Sequence, residues 1–165
     1  MAAMPVTSKH DEVKKELEHL AKTAASSKEL MEKLVNVLHE RMLKYNWVGF
    51  YMLEKSQPPV LVLGAFQGAM TPHTRIPLNQ GICGAAASTG KTIVVDDVSS
   101  DPRYLACSIE TKSEIVVPVF VSGEVVGELD IDSHTPAAFT GDDRQLVEHC
   151  ASLVGRYLEM ANSKG

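Results

Sequence analysis

The sequence predicts an α+β domain, in which an antiparallel sheet carries helices from both ends of the chain on one face. Two capping boxes, each followed by an amphipathic stripe, indicate helices near the start. Paired apolar runs rich in β-branched residues fill the middle, and a third capped stripe ends the chain. With 165 residues we expect one domain over 1–165, with 1–7 as a flexible arm.

The two N-terminal helices are expected over 8–24 and 27–44. Ser8 and Ser26 each precede an acidic residue by three positions, which is the spacing of a capping box. Apolar residues recur behind both at intervals of three and four. Thr140-Gly-Asp-Asp143 is a helix-capping sequence, and residues with helical apolar periodicity follow it. The last helix is therefore expected to begin after Thr140.

Two hairpins account for the longest strands. The first joins 47–53 to 60–66 through a proline-containing turn. The second joins 115–121 to 124–131 around Ser122-Gly123. Both pairs predict antiparallel neighbours in the sheet.

Shorter elements lie between the hairpins. Extended segments are expected at 74–77 and 92–95, and a helix of small residues at 79–90, closed by Gly90. Residues 96–112 contain few apolar side chains and are expected to be irregular. Irregular segments of this length are often functional.

Composition excludes several function classes. With 16 basic and 21 acidic residues the net charge is −5, which disfavours a broad nucleic-acid surface. No apolar run approaches the length of a membrane span, and the start lacks a basic flank followed by an apolar run, so neither a membrane segment nor a secretory signal is expected. Three cysteines suggest free thiols in a reducing compartment, hence a cytoplasmic location.

The cysteines differ in their predicted surroundings. Cys150 lies on the apolar stripe of the last helix and is expected to be a buried core residue. Cys83 lies near a helix start, where exposed N–H groups favour a thiolate; a small residue chosen for close packing is the alternative. Cys107 lies in the irregular segment, where it is either a thiol that reaches a pocket or an incidental one.

Three carboxylates are expected to share one face of the second hairpin. Asp130 and Asp132 alternate along one strand, and Glu114 begins its partner. A three-residue turn would place Glu114 opposite Asp130, whereas a two-residue turn would put Glu114 on the apolar face. Clustered carboxylates raise at least one pKa, and a protonated carboxyl beside a thiol suits acid-assisted thiol chemistry. A solvated polar face is the alternative.

Metal and nucleotide motifs are missing from the sequence. The histidines and cysteines show no zinc-ligand spacing, and no phosphate-binding glycine motif occurs. Neither a metal nor a cofactor is therefore expected.

Several segments resemble the free methionine-(R)-sulfoxide reductases, which are single GAF-domain enzymes. The segments that carry this resemblance are Asn46-Trp-Val-Gly-Phe-Tyr51, Leu63-Gly-Ala-Phe-Gln-Gly68, Thr74-Arg-Ile-Pro77, Gly81-Ile-Cys-Gly-Ala-Ala86, Ala106-Cys107, Ser113-Glu-Ile-Val-Val-Pro118 and Leu129-Asp-Ile-Asp-Ser133. The resemblance spans about 30–160 and implies a GAF fold, with a six-stranded antiparallel sheet and a small closed pocket on the face away from the terminal helices.

The resemblance also implies roles for particular residues. Cys107 would attack the sulfoxide sulfur and become a sulfenic acid, which a second cysteine and then thioredoxin or a similar dithiol would reduce. The acidic cluster of Glu114, Asp130 and Asp132 would hold the substrate ammonium and polarise or protonate the sulfoxide oxygen. The pocket aromatics would be Trp47 and Tyr51, and a homodimer is implied.

One position departs from the family pattern. Many members carry a resolving cysteine directly before Thr-Arg-Ile-Pro, where this chain has His73. We therefore expect Cys83 to be the second catalytic cysteine, which resolves the sulfenic acid. The alternative is that an external thiol reduces Cys107 directly. Two other functions stay open: a non-catalytic GAF domain that senses a small molecule, and an interaction subunit with incidental cysteines.

Overall fold

The computed structural model describes residues 8–105 and 109–163. The predicted arm at 1–7 and Cys107 lie outside the described residues. The helices are α1 (Lys9–Thr23), α2 (Ser27–Arg41), α3 (Gly81–Thr89) and α4 (Gly141–Ser163). The strands are β1 (Trp47–Glu54), β2 (Val60–Gln67), β3 (Arg75–Pro77), β4 (Ile93–Val95), β5 (Ser113–Val121) and β6 (Glu124–Ser133). One turn of 3₁₀ helix, Val98–Ser100, lies within the segment predicted to be irregular.

The six strands form a single antiparallel sheet in the order β3-β2-β1-β6-β5-β4. The two predicted hairpins, β1-β2 and β5-β6, lie side by side at its centre because β1 pairs with β6. The predicted α+β fold with a six-stranded antiparallel sheet is confirmed.

The two faces of the sheet carry different partners. The helices α1, α2 and α4 cover one face, where alternate residues of the central strands such as Phe50, Ile115 and Ile131 are fully buried. The other face packs against α3 and forms a second, smaller core. The side chains of Tyr51 and Val116, which alternate with those of the first face, belong to this core. This alternation follows from the two-residue period of a strand. The terminal helices therefore share one face, as predicted.

Asp143 joins three of the segments that cover the first face. Its Oδ1 accepts a hydrogen bond from Tyr45 Oη at 2.6 Å and lies 2.9 Å from His10 Nε2. Its Oδ2 accepts bonds from the backbone N–H and the hydroxyl of Thr140, the residue that precedes α4. Helix α2 ends at Arg41 rather than at 44 because Met42 is extended, which turns Tyr45 into this network.

The register of the second hairpin differs from the prediction. The turn has two residues, Ser122 and Gly123, both with positive φ, and β5 and β6 pair directly before and after it. A β-bulge then leaves Val126 without a partner, which shifts the pairing so that Glu114 lies opposite Asp132 instead of Asp130. One extra residue on a strand reverses which face the following side chains point to. The bulge therefore places Glu114 on the same face as Asp130 and Asp132, whereas a regular two-residue hairpin would place it on the opposite face.

Candidate functional site

The three predicted carboxyls lie together beneath α3, on the face of the sheet away from the terminal helices. Glu114 on β5 and Asp132 on β6 are directly paired. Asp130 lies two residues before Asp132 on β6, and so on the same face of the sheet. All three are buried, with at most 5% of each residue exposed. The expected shared face is thus correct, whereas the alternative of a solvated polar face is wrong.

Burial sets the electrostatics of this cluster. Loss of solvation, and then the charges of Asp130 and Asp132, raise the pKa of Glu114 well above the ordinary range. Loss of solvation and Asp130 likewise raise the pKa of Asp132, although a hydrogen bond with Glu114 offsets part of that rise. Burial also raises the pKa of Asp130, although hydrogen bonds from Glu114 and Cys83 offset part of that rise. Oδ1 of Asp130 and Oδ1 of Asp132 have no hydrogen-bond partner among the described residues. A bound cation or N–H donor would satisfy these oxygens.

Glu128 is a fourth buried carboxyl that the sequence analysis missed. It lies on β6 on the same face as Asp130, is fully buried, and has no hydrogen-bond partner for either oxygen among the described residues. Burial, with a contribution from Asp130, raises its pKa well above the ordinary range. Its two-residue spacing from Asp130 was the available signal, but an unassigned Glu on a strand most often faces solvent.

Cys83 is the third residue of α3 and faces the carboxyls. Its Sγ and one carboxylate oxygen from each of Glu114 and Asp130 all lie within 4.8 Å of one another. The expected lowering of the Cys83 pKa is wrong, because burial and the adjacent Asp130, Glu128 and Glu114 raise the pKa of the thiol well above its usual value. These effects outweigh the N-terminus of a nine-residue helix.

The two predicted aromatic residues anchor the segment that follows β2. The Trp47 indole N–H donates to the backbone oxygen of Ala69 at 3.0 Å, and Tyr51 Oη donates to the backbone oxygen of His73 at 2.7 Å. Trp47 also stacks on Phe66, with ring centroids 5.8 Å apart. Tyr51 therefore holds the backbone of His73 beside the carboxyl cluster, and Trp47 holds that of Ala69.

Two small cavities flank the cluster. The first, of about 20 Å³, is lined by Glu114, Asp130, Cys83, Tyr51 and His73, among others. The second, of about 90 Å³, is lined by Asp132, Trp47 and residues that include Met70, Thr111 and His134. A larger groove of about 660 Å³ lies between β5 and α4 but contains none of these buried carboxyls. We place the candidate site at the flanking cavities because chemically reactive groups converge there.

Cys150 lies outside this arrangement. Cys150 is fully buried in the core between the sheet and the terminal helices, as expected. Burial raises the pKa of its thiol, so it behaves as an apolar residue. Cys107, the predicted nucleophile, lies outside the described residues, so its role stays a prediction.

Comparison with known proteins identifies the family. The GAF domain model matches residues 27–158. The free methionine-R-sulfoxide reductase of Escherichia coli is 36% identical over 128 residues, which cover 78% of this chain and 75% of that protein. The chain belongs to the free methionine-R-sulfoxide reductase family. Its relative of that name in Saccharomyces cerevisiae is 41% identical over 67% of this chain, but the match spans only 62% of the yeast protein.

A solved structure supports the same family. The X-ray structure of the free methionine-R-sulfoxide reductase from Neisseria meningitidis, in complex with its substrate, superposes with a TM-score of 0.88 at 33% identity. The match covers 100% of this chain and 97% of that one. Within the described part of the chain, no helix is long and apolar enough to cross a membrane.

Proposed function

We propose that this protein reduces free L-methionine (R)-sulfoxide to methionine through a cysteine sulfenic acid that a thioredoxin-like dithiol recycles. The observation that carries the proposal is the buried carboxyl cluster of Glu114, Asp130 and Asp132 in a member of this family. Buried carboxyls with unpartnered oxygens favour a cationic ligand, and a free amino acid brings an ammonium group.

The ammonium group explains why the free amino acid would be preferred. It can donate three charge-assisted hydrogen bonds to Glu114, Asp130 and Asp132, whose burial makes such bonds strong. An acylated nitrogen carries no charge and only one N–H. Peptide-bound methionine sulfoxide would therefore leave buried carboxyl oxygens unpaired, which is costly.

The same carboxyls supply the proton for the reducing step. The pKa values of Glu114 and Asp132 are raised by burial, which favours the protonated form of these carboxyls. In the proposed step the Cys107 thiolate attacks the sulfoxide sulfur while a carboxyl protonates the oxygen. The oxygen ends on Cys107, so methionine leaves and a sulfenic acid forms. A pocket that fixes the methyl group beside Trp47 and the oxygen beside the carboxyls selects one epimer.

Cys83 is the proposed resolving thiol. It would attack the Cys107 sulfenic acid to give a disulfide and water, and a thioredoxin-like dithiol would reduce that disulfide. Because the pKa of Cys83 is raised, its proton must be accepted as it attacks, and Asp130 is a neighbouring acceptor. In this scheme His73 takes no part in thiol exchange.

Turnover coupled to NADPH through thioredoxin and thioredoxin reductase tests the function. We expect NADPH consumption with free methionine (R)-sulfoxide, little with the S epimer, and none for Cys107→Ser. Cys150→Ser is the matched control and should retain turnover. Tight binding of the sulfoxide without turnover in the wild type would instead favour a small-molecule sensor.

A further inference from the structure

One thiol and two carboxyls form a compact set of potential metal ligands. Cys83 Sγ and one oxygen each of Glu114 and Asp130 lie within 4.8 Å of one another, and all three residues are buried. Tetrahedral zinc holds sulfur at about 2.3 Å and oxygen at about 2.0–2.2 Å, so neighbouring ligand atoms lie about 3.3–3.8 Å apart. Small side-chain movements would bring these atoms to that spacing.

Two further observations point to an occupant. Asp130 is 3% exposed, lines the small cavity with Cys83 and Glu114, and keeps Oδ1 without a hydrogen-bond partner among the described residues. The cavity of about 20 Å³ has room for one ion or one water molecule. Glu128, fully buried behind the same thiol with two unpartnered oxygens, adds negative charge when ionised.

We propose that Cys83, Glu114 and Asp130 form a binding site for a thiophilic divalent cation, Zn²⁺ being the best match. The thiol favours zinc over Mg²⁺ or Ca²⁺, which take oxygen ligands. On binding, Cys83 loses its thiol proton, Glu114 and Asp130 lose any carboxyl protons, these protons pass to solvent, and the thiolate and both carboxylates coordinate the ion. The ligands come from α3, β5 and β6, so no local spacing in the sequence reveals them.

Zinc and substrate would exclude each other at this site. This consequence rests on the proposed function, because Glu114 and Asp130 are also the proposed acceptors of the substrate ammonium. Zinc would in addition occupy the proposed resolving thiol. Bound zinc would thus hold the protein inactive until a chelator or a high substrate concentration removed the ion.

Co²⁺ provides a direct test that does not depend on activity. The reduced, metal-free protein is titrated with Co²⁺, and the near-ultraviolet thiolate-to-cobalt charge-transfer band is followed. Zn²⁺ is then added to displace cobalt. We expect one saturable site whose band disappears in Cys83→Ser and persists in Cys150→Ser. Asp130→Asn should weaken zinc binding at least about tenfold, the least that losing even an outer-shell partner costs.

The outcomes separate this proposal from the proposed function. A charge-transfer band that survives Cys83→Ser but vanishes in Cys107→Ser would overturn the site, as would absence of any band in the wild type. If Cys83→Ser does not fold, Asp130→Asn and Glu114→Gln provide the test instead. Both residues are proposed ligands, so unchanged metal binding in either variant would overturn the site. A Cys83-dependent band that methionine sulfoxide cannot displace would support the metal site and contradict the ammonium site.

Discussion

Glu114 and Asp132 face each other across β5 and β6, and Val126 makes that pairing possible. A two-residue turn alone would have pointed Glu114 at the terminal helices. The single unpaired residue of the bulge reverses its direction and completes the buried carboxyl cluster with Asp130. The proposed substrate site thus depends on a local irregularity 12 residues along the chain from Glu114.

Glu114→Gln should weaken use of the free amino acid. Replacing a buried charge-assisted hydrogen bond removes about 1.5–3 kcal/mol, which corresponds to a loss of roughly 10- to 100-fold in kcat/KM. Steady-state kinetics with free methionine (R)-sulfoxide measure this. Glu124→Gln, on the exposed start of β6, is the control and should be neutral. Comparable wild-type rates on N-acetyl methionine sulfoxide amide would contradict the role of the ammonium.

Gly127→Ala should destabilise the protein and disturb the bulge. A Cβ at this position would lie 2.6 Å from the backbone oxygen of Tyr51 and 2.7 Å from Met52 Sδ. Such overpacking typically costs about 1–3 kcal/mol, which thermal unfolding would detect. Gly141→Ala, whose Cβ would meet no atom within 4 Å, should change stability little. Equal melting temperatures for the two variants would refute this packing argument.

Cys83→Ser should stop recycling but spare the first reduction. In a single turnover without reductant, we expect one methionine per subunit from the variant. With thioredoxin the variant should then stall, because the proposed resolving thiol is missing. Non-reducing mass spectrometry of the substrate-treated wild type should reveal a Cys83–Cys107 peptide. If the variant turns over at the wild-type rate with thioredoxin, an external thiol reduces Cys107 directly.

Cys150→Ala should retain most of the activity. The side chain is fully buried on the far side of the sheet from the carboxyl cluster, and burial raises its pKa. We expect a stability loss of about 0.5–3 kcal/mol, the usual cost of a core substitution. Loss of turnover in a folded Cys150→Ala variant would show that this thiol takes part in the chemistry.

Asp143→Asn should remove part of the acid sensitivity of folding. Burial alone would raise the pKa of Asp143, but hydrogen bonds from Tyr45, His10 and Thr140 lower it below its ordinary 3.8. A carboxyl with a lowered folded-state pKa contributes stability above its unfolded-state pKa and loses it as pH falls through the folded-state pKa.

The measurement is the melting temperature as a function of pH. At pH 7 the Asp143→Asn variant should be less stable than wild type by about 1–3 kcal/mol in free energy of unfolding. This difference in stability should shrink below about pH 4. Asp142→Asn, next to it on the first turn of α4, is the control for helix-terminal charge. A constant difference between Asp143→Asn and wild type from pH 7 to pH 3 would contradict this linkage.

The sequence by itself determined the order of elements, the two hairpins, the core helices and the identity of three cluster residues. Capping boxes, apolar periodicity and alternation are local signals, so Ser8, Ser26 and the β5–β6 alternation could be interpreted without contacts. Cys150 was placed correctly for the same reason.

Tertiary structure alone decided the register, the burial and the electrostatics of the site. The bulge at Val126 depends on how β6 packs between β1 and β5, which turn chemistry does not encode. The pKa of Cys83 is raised because packing buries its thiol and then because β5 and β6 place carboxyls beside it, and these effects outweigh the local effect of the helix start. Glu128 was missed because its burial depends on the same packing, and desolvation requires all the neighbours together.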